Sequence, residues 1–212
     1  MAVPTHVTFV PGAAGLGSFW DPVAAALPND WSARSLDLPG LGHSPAHPEI
    51  NSYLGLVEHV ARSVARPGVL AAQSMGCYLA LELCLRHPAL VTHLVLAVAA
   101  GGVDMQRLGA LDWRPSYHAT HTAAQPWANA SVPDLTDELK RIRVPVLLVW
   151  ASRDAISPLT VARHLKAQLP NAHLLEFDTD DHWVARRFPT PIANAIVDLA
   201  RGTLPTAPVA GT

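Results

Sequence analysis

The chain has 212 residues, 50% of them hydrophobic and 15% charged, with a formal net charge of −2. A polypeptide of this size can close one hydrophobic core without metals or disulfides, and this composition excludes disorder over most of its length. No Lys/Arg cluster could follow a phosphate backbone or anionic membrane, no run approaches the roughly 18 apolar residues of a membrane span, and Met1–Val10 lacks a signal-peptide pattern; nucleic-acid and membrane partners are therefore not expected, and a cytoplasmic location is.

Short, mostly unalternated runs of β-branched and aliphatic residues predict strands at His6–Val10, Ala33–Asp37, Val69–Gln73, Thr92–Val98, Pro145–Trp150 and His173–Phe177. Between them, helical patterns are predicted at Phe19–Leu27, Tyr53–Ala65, Met75–Arg86, Pro158–Gln168 and Ile192–Arg201, several of them stopped by a proline. The alternation predicts an α/β fold: a mainly parallel, doubly wound sheet of about six strands flanked by helices. Residues 1–202 read as one domain, and 203–212, without apolar periodicity, as a flexible tail. The stretch 104–143, carrying Trp113, Tyr117 and Trp127, is too long for an ordinary connection and reads as a lid inserted after the fourth strand. Cys77 and Cys84, the only cysteines, fall on one predicted helix two turns apart, where they cannot bridge and read as buried thiols.

The strongest local signal is Leu70-Ala71-Ala72-Gln73-Ser74-Met75-Gly76, where a buried strand runs directly into a helix. A serine at so sharp a turn is lifted above the sheet edge, and residues two away on each side must be small because backbones pass close together. Ala72 and Gly76 meet that demand. The turn also leaves the Met75 N–H free at a helix N-terminus, where it favours a developing oxyanion.

This segment resembles the nucleophile elbow of the α/β-hydrolase family, normally Gly-x-Ser-x-Gly, with Ala72 in place of the first glycine. Val10-Pro11-Gly12-Ala13-Ala14-Gly15 resembles the family's oxyanion loop, which implies Ala13 as the second N–H donor; Pro11 stands where histidine is usual. Leu36-Asp37-Leu38-Pro39-Gly40-Leu41-Gly42-His43-Ser44 is similar to the family's Asp-x-Pro-Gly-x-Gly-x-Ser turn, to which a structural role beside the nucleophile is assigned. The acid implied is Asp154, after the apolar strand ending at Trp150 and before Pro158; Asp104 is the alternative, since some relatives place the carboxylate there. The base implied is His182, between the last strand and the last helix, while His59, His87 and His164 fit helical patterns and His118 and His121 fall in the lid.

The order Ser, Asp, His is the one this fold uses. The resemblance therefore implies a serine hydrolase acting on esters of small, largely apolar acyl compounds through a Ser74–His182–Asp154 triad and an acyl-enzyme, with Trp20, Trp113, Tyr117, Trp127 and Trp183 as candidate pocket walls. The overall layout most resembles the small methyl-ester esterases of cofactor synthesis. Thioesterases, acyltransferases and cyanohydrin lyases share the triad, and a catalytically silent ligand-binding receptor is the alternative of another class. The mechanism requires neither metal nor cofactor, and the expected partner is a small-molecule ester bound by a monomer or homodimer.

Overall fold

Residues without polar alternation need cover on both faces, and they become the centre of a sheet. The computed structural model describes Val3 and residues 5–203, so nearly all of the predicted tail lies outside the described residues. Six strands, β1 (His6–Val10), β2 (Ser32–Ser35), β3 (Gly68–Gln73), β4 (Val91–Ala97), β5 (Val146–Ala151) and β6 (Ala172–Phe177), form one sheet in the order β2-β1-β3-β4-β5-β6. Every pairing is parallel. All residues of β1, β3 and β5 are buried, whereas β2, at one edge, is short, polar and mostly exposed.

The helices are α1 (Asp21–Ala25), α2 (Tyr53–Ser63), α3 (Gly76–Arg86), α4 (Arg114–Thr120), α5 (Leu159–Gln168), α6 (Val184–Arg187) and α7 (Pro189–Arg201). The β1-to-β2 step moves one way along the sheet, and the steps from β2 to β3, β3 to β4 and β5 to β6 move the other way. Right-handed crossovers then place α1 on one face and α2, α3 and α5 on the opposite one. The packing agrees, with α7 against α1 and α2 against α3.

Prolines explain three departures from the predicted helix bounds. Pro22 lies in the first turn of α1, so the expected Phe19–Leu27 helix divides into a 3₁₀ turn at Gly17–Trp20 followed by a short α-helix. Pro189 and Pro191 lie in the first turn of α7, where their missing N–H groups leave no bond unmade, so this helix begins before Ile192. In the same way Pro115 opens α4, a helix absent from the predicted elements and lying within the segment inserted between β4 and β5. Cys77 and Cys84 are both buried, free thiols on α3.

The chain leaves β1 toward β2 and β3 toward β4, so these neighbouring strands diverge and open a crevice at their carboxyl ends. The loops after β1 and β3 meet there.

Candidate active site

Ser74 follows β3 directly and has φ +55°, a left-handed conformation uncommon for a residue with a side chain. Its N–H donates to Ala97 O at 2.9 Å, and its carbonyl accepts from Cys77 N at 3.0 Å and Ala100 N at 3.1 Å. The turn therefore hangs on both β4 and α3. Two glycines let it close: a methyl at Gly76 would strike the Pro11 carbonyl oxygen, and one at Gly12 would strike the Gln73 side-chain oxygen. Ala72, in place of the usual glycine, is fully buried and sits in register with Val10 and Leu96.

Asp154, on the loop after β5, is 3% exposed. One carboxylate oxygen accepts from Ile156 N at 2.8 Å, and the other lies 2.5 Å from His182 Nδ1. His182 Nε2 is 2.9 Å from Ser74 Oγ. Because a carboxylate only accepts, Nδ1 holds the ring proton and Nε2 is left to accept from the serine hydroxyl. His182 lies on the turn between β6 and α6, shaped by Asp181 N to Thr179 Oγ1 at 3.2 Å and Trp183 N to Asp181 Oδ1 at 2.8 Å. Gln73 Nε2 also reaches the His182 carbonyl at 3.5 Å. Asp104 is elsewhere, its carboxylate accepting from Arg107 N at 3.0 Å in an exposed turn.

The Ala13 and Met75 N–H groups donate to no protein acceptor among the described residues. Pro11 has no polar side-chain atom with which to hydrogen-bond the loop that carries Ala13, and backbone packing braces it instead. Leu38 N donates to Gly15 O at 2.7 Å, and Gly17 N donates to Asp37 Oδ1 at 2.8 Å. A methyl at Gly42 would strike Ala14 O, and one at Gly15 would strike Leu41 O, so the turn after β2 lies directly against this loop.

Ser74 and His182 open on a cleft of about 340 Å³, within the usual range for small-molecule sites. Its apolar walls include Leu16, Phe19, Leu111, Trp113, Ile156 and Trp183, with the half-buried His121 and the buried Tyr117 on the inserted side. Trp113, Tyr117 and Trp183 are thus at the cleft. Trp20 and Trp127 are not. Trp20 is fully buried, stacks on Phe9 at 4.8 Å and donates its indole N–H to Val10 O at 3.0 Å, so it supports the end of β1 from below. Trp127 packs edge-on to Tyr53 at 5.4 Å and lines a separate cavity with Tyr78 and Glu82. Phe19, one position before Trp20, takes the wall position. Within the 3₁₀ turn at Gly17–Trp20, Trp20 is buried and Phe19 lines the cleft. Leu16, Leu111, Ile156 and Arg186, which also line the cleft, carry no motif that would mark them in sequence.

Residues 5–139 match the family model described as alpha/beta hydrolase fold, and residues 114–210 match one described as TAP-like protein. The chain belongs to the alpha/beta hydrolase fold family. It is 27% identical to the pimeloyl-(acyl-carrier protein) methyl ester esterase of Aromatoleum aromaticum, over 89% of this chain and 95% of that protein. The enzyme of the same name from Vibrio cholerae is 24% identical over 78% of this chain and 82% of its own. A solved hydrolase structure from Pseudomonas aeruginosa superimposes with a TM-score of 0.75 at 19% identity, covering 94% of this chain and 91% of that one. Among the described residues no helix is long and apolar enough to cross a membrane.

Proposed function

We propose that the protein is a serine hydrolase that cleaves carboxylic esters with small, largely apolar acyl groups. The observation that carries this reading is the unbroken hydrogen-bonded line from Asp154 through His182 to Ser74, ending at an apolar cleft. A serine hydroxyl is a weak nucleophile near neutral pH and needs an adjacent base. His182 Nε2 takes the proton as Ser74 Oγ adds to the ester carbonyl, and Asp154 holds the ring and stabilises the imidazolium that forms. The Ala13 and Met75 N–H groups receive the oxyanion, each worth about 3 kcal/mol in comparable sites. Collapse of the tetrahedral adduct expels the alcohol, which takes the proton back from His182. Water activated by the same histidine then adds to the acyl-enzyme and releases the acid.

Two relatives named as methyl ester esterases support an oxygen ester over a thioester. Trp113, Tyr117 and Trp183, together with Phe19 and Leu111, supply the apolar surface for the acyl or alkyl group. The test is labelling of Ser74 by a fluorophosphonate together with turnover of p-nitrophenyl esters. Both are expected in the wild-type protein and both are lost in Ser74→Ala with the circular dichroism spectrum unchanged. Undiminished turnover in Ser74→Ala defeats the proposal.

A further inference from the structure

We propose that Ser157 is a positioning residue that ties the loop bearing Asp154 to the turn bearing Ser74 through one peptide unit, Ala99–Ala100. The inference rests on the triad reading above. The carbonyl of Ala99 and the N–H of Ala100 belong to the same rigid plane. That N–H donates to Ser74 O at 3.1 Å, and that carbonyl accepts from Ser157 Oγ at 2.5 Å. A single amide thus has the nucleophile turn at one end and the acid loop at the other, and the two bonds polarise each other.

The hydroxyl is aimed from both sides. Ser157 is fully buried, and its own carbonyl accepts from the Trp150 indole N–H at 2.8 Å, which fixes it to β5. Three residues earlier Asp154 holds Ile156 N at 2.8 Å with the oxygen that does not face His182. The turn from Asp154 to Ser157 is consequently held at its start, at its end and, through Ser157 Oγ, across to Ser74.

Backbone strain identifies the other half of the device. Val98, the residue before the bridging unit, has φ +43°. For a β-branched residue this conformation is strained and persists only where the surroundings over-determine it. Val98 N still donates to Val149 O at 2.9 Å, as β4 would if it continued. The left-handed residue then turns the chain out of the strand, and one peptide further on the Ala99–Ala100 unit faces Ser74 on one side and Ser157 on the other. A buried hydroxyl that only filled space would need some acceptor, but not one shared with the nucleophile turn.

The test has two arms. The wild-type protein is first treated with a fluorophosphonate; failure to label overturns the serine-hydrolase reading and this inference with it. Given labelling, Ser157→Ala and Ser157→Cys are compared with wild type well below their melting temperatures. Cysteine leaves no cavity and offers only a weak donor on a somewhat larger atom. Both variants are expected to lose about tenfold in kcat on a p-nitrophenyl ester, the scale of a small misplacement of reacting groups, with KM changed less than about twofold. The labelling rate is expected to fall by the same factor. If Ser157→Ala does not fold, Ser157→Cys alone supplies the readout. Wild-type kcat and labelling rate in Ser157→Cys overturn the inference while leaving the proposed function standing, whatever happens to the melting temperature.

Discussion

The phenol of Tyr117, in the segment inserted between β4 and β5, accepts a 2.7 Å hydrogen bond from the backbone N–H of Gly42, in the turn after β2. The same turn braces the loop that carries Ala13, so one bond connects the inserted helix α4 to a proposed oxyanion donor through two layers of backbone. Gln125 N, donating to Gly40 O at 2.9 Å, makes a second such tie. Tyr117→Phe keeps the ring stacked on His121 but leaves the Gly42 N–H buried without its acceptor. A loss of about 1–3 kcal/mol in urea unfolding is expected, together with a higher KM for p-nitrophenyl esters because the apolar wall is no longer pinned.

Asp154 and Asp104 are separated by the contacts each makes, and kinetics will show the difference. Asp154→Asn is expected to lower kcat by about four orders of magnitude, since an amide N–H facing His182 Nδ1 stabilises the wrong tautomer. Asp104→Asn changes only the cap on Arg107 N in an exposed turn and should leave kcat within about twofold. Equal effects in steady-state assays of the two variants contradict the assignment.

Gly76→Ala places a methyl against the Pro11 carbonyl oxygen, a backbone atom that cannot move aside without shifting β1. Overpacking of this kind costs about 1–3 kcal/mol. The melting temperature should fall, and kcat should fall with it, because the displaced strand end carries Gly12 and Ala13. Gly109→Ala, at a glycine with nothing near the added carbon, disturbs no packing and serves as the comparison for backbone strain alone.

Burial lowers the pKa of His93, and burial followed by the nearby Arg66 charge lowers that of His6. Both resist protonation in the folded state, so between the folded and unfolded values the unfolded chain binds more protons. Stability is then complete above the unfolded value, about 6.5 for histidine, and decreases as pH falls below it. Urea unfolding at pH 7 and pH 5 should show this loss, and His93→Gln should make the dependence shallower. An unchanged slope in His93→Gln contradicts the assignment.

Much of the fold was legible because its causes are local. Five-residue to seven-residue apolar runs can be satisfied only by cover on both faces, which is why β1, β3 and β5 lie near their predicted positions. The small residues at 72 and 76 around Ser74 state a steric requirement that can be read without knowing what backbone passes nearby. Helix starts were less legible: Pro22 falls inside the expected Phe19–Leu27 helix and Pro191 just before the expected Ile192–Arg201 helix, yet each lies in a first turn, and Pro115 opens a helix the apolar pattern does not mark. Which aromatic residues face the cleft was not legible. Trp20 and Phe19 are adjacent and chemically alike, and only the packing of the loop after β1 against the sheet buries the former on Phe9 and leaves the latter at the wall.

The sequence by itself determined the parallel α/β architecture, the sharp turn at Ser74 and the shortlist of partners for it, because periodicity, small-residue spacing and the order of motifs are properties of the chain. Tertiary structure decided that Asp154 and not Asp104 lies against His182, that backbone contacts support the Ala13 loop where Pro11 has no hydrogen-bonding side chain, and that Ser74 is linked to Ser157 through the Ala99–Ala100 peptide. Each of these depends on a hydrogen bond or a close contact between segments distant in sequence, and its direction is set only when the sheet has closed and the backbone dihedral angles are fixed.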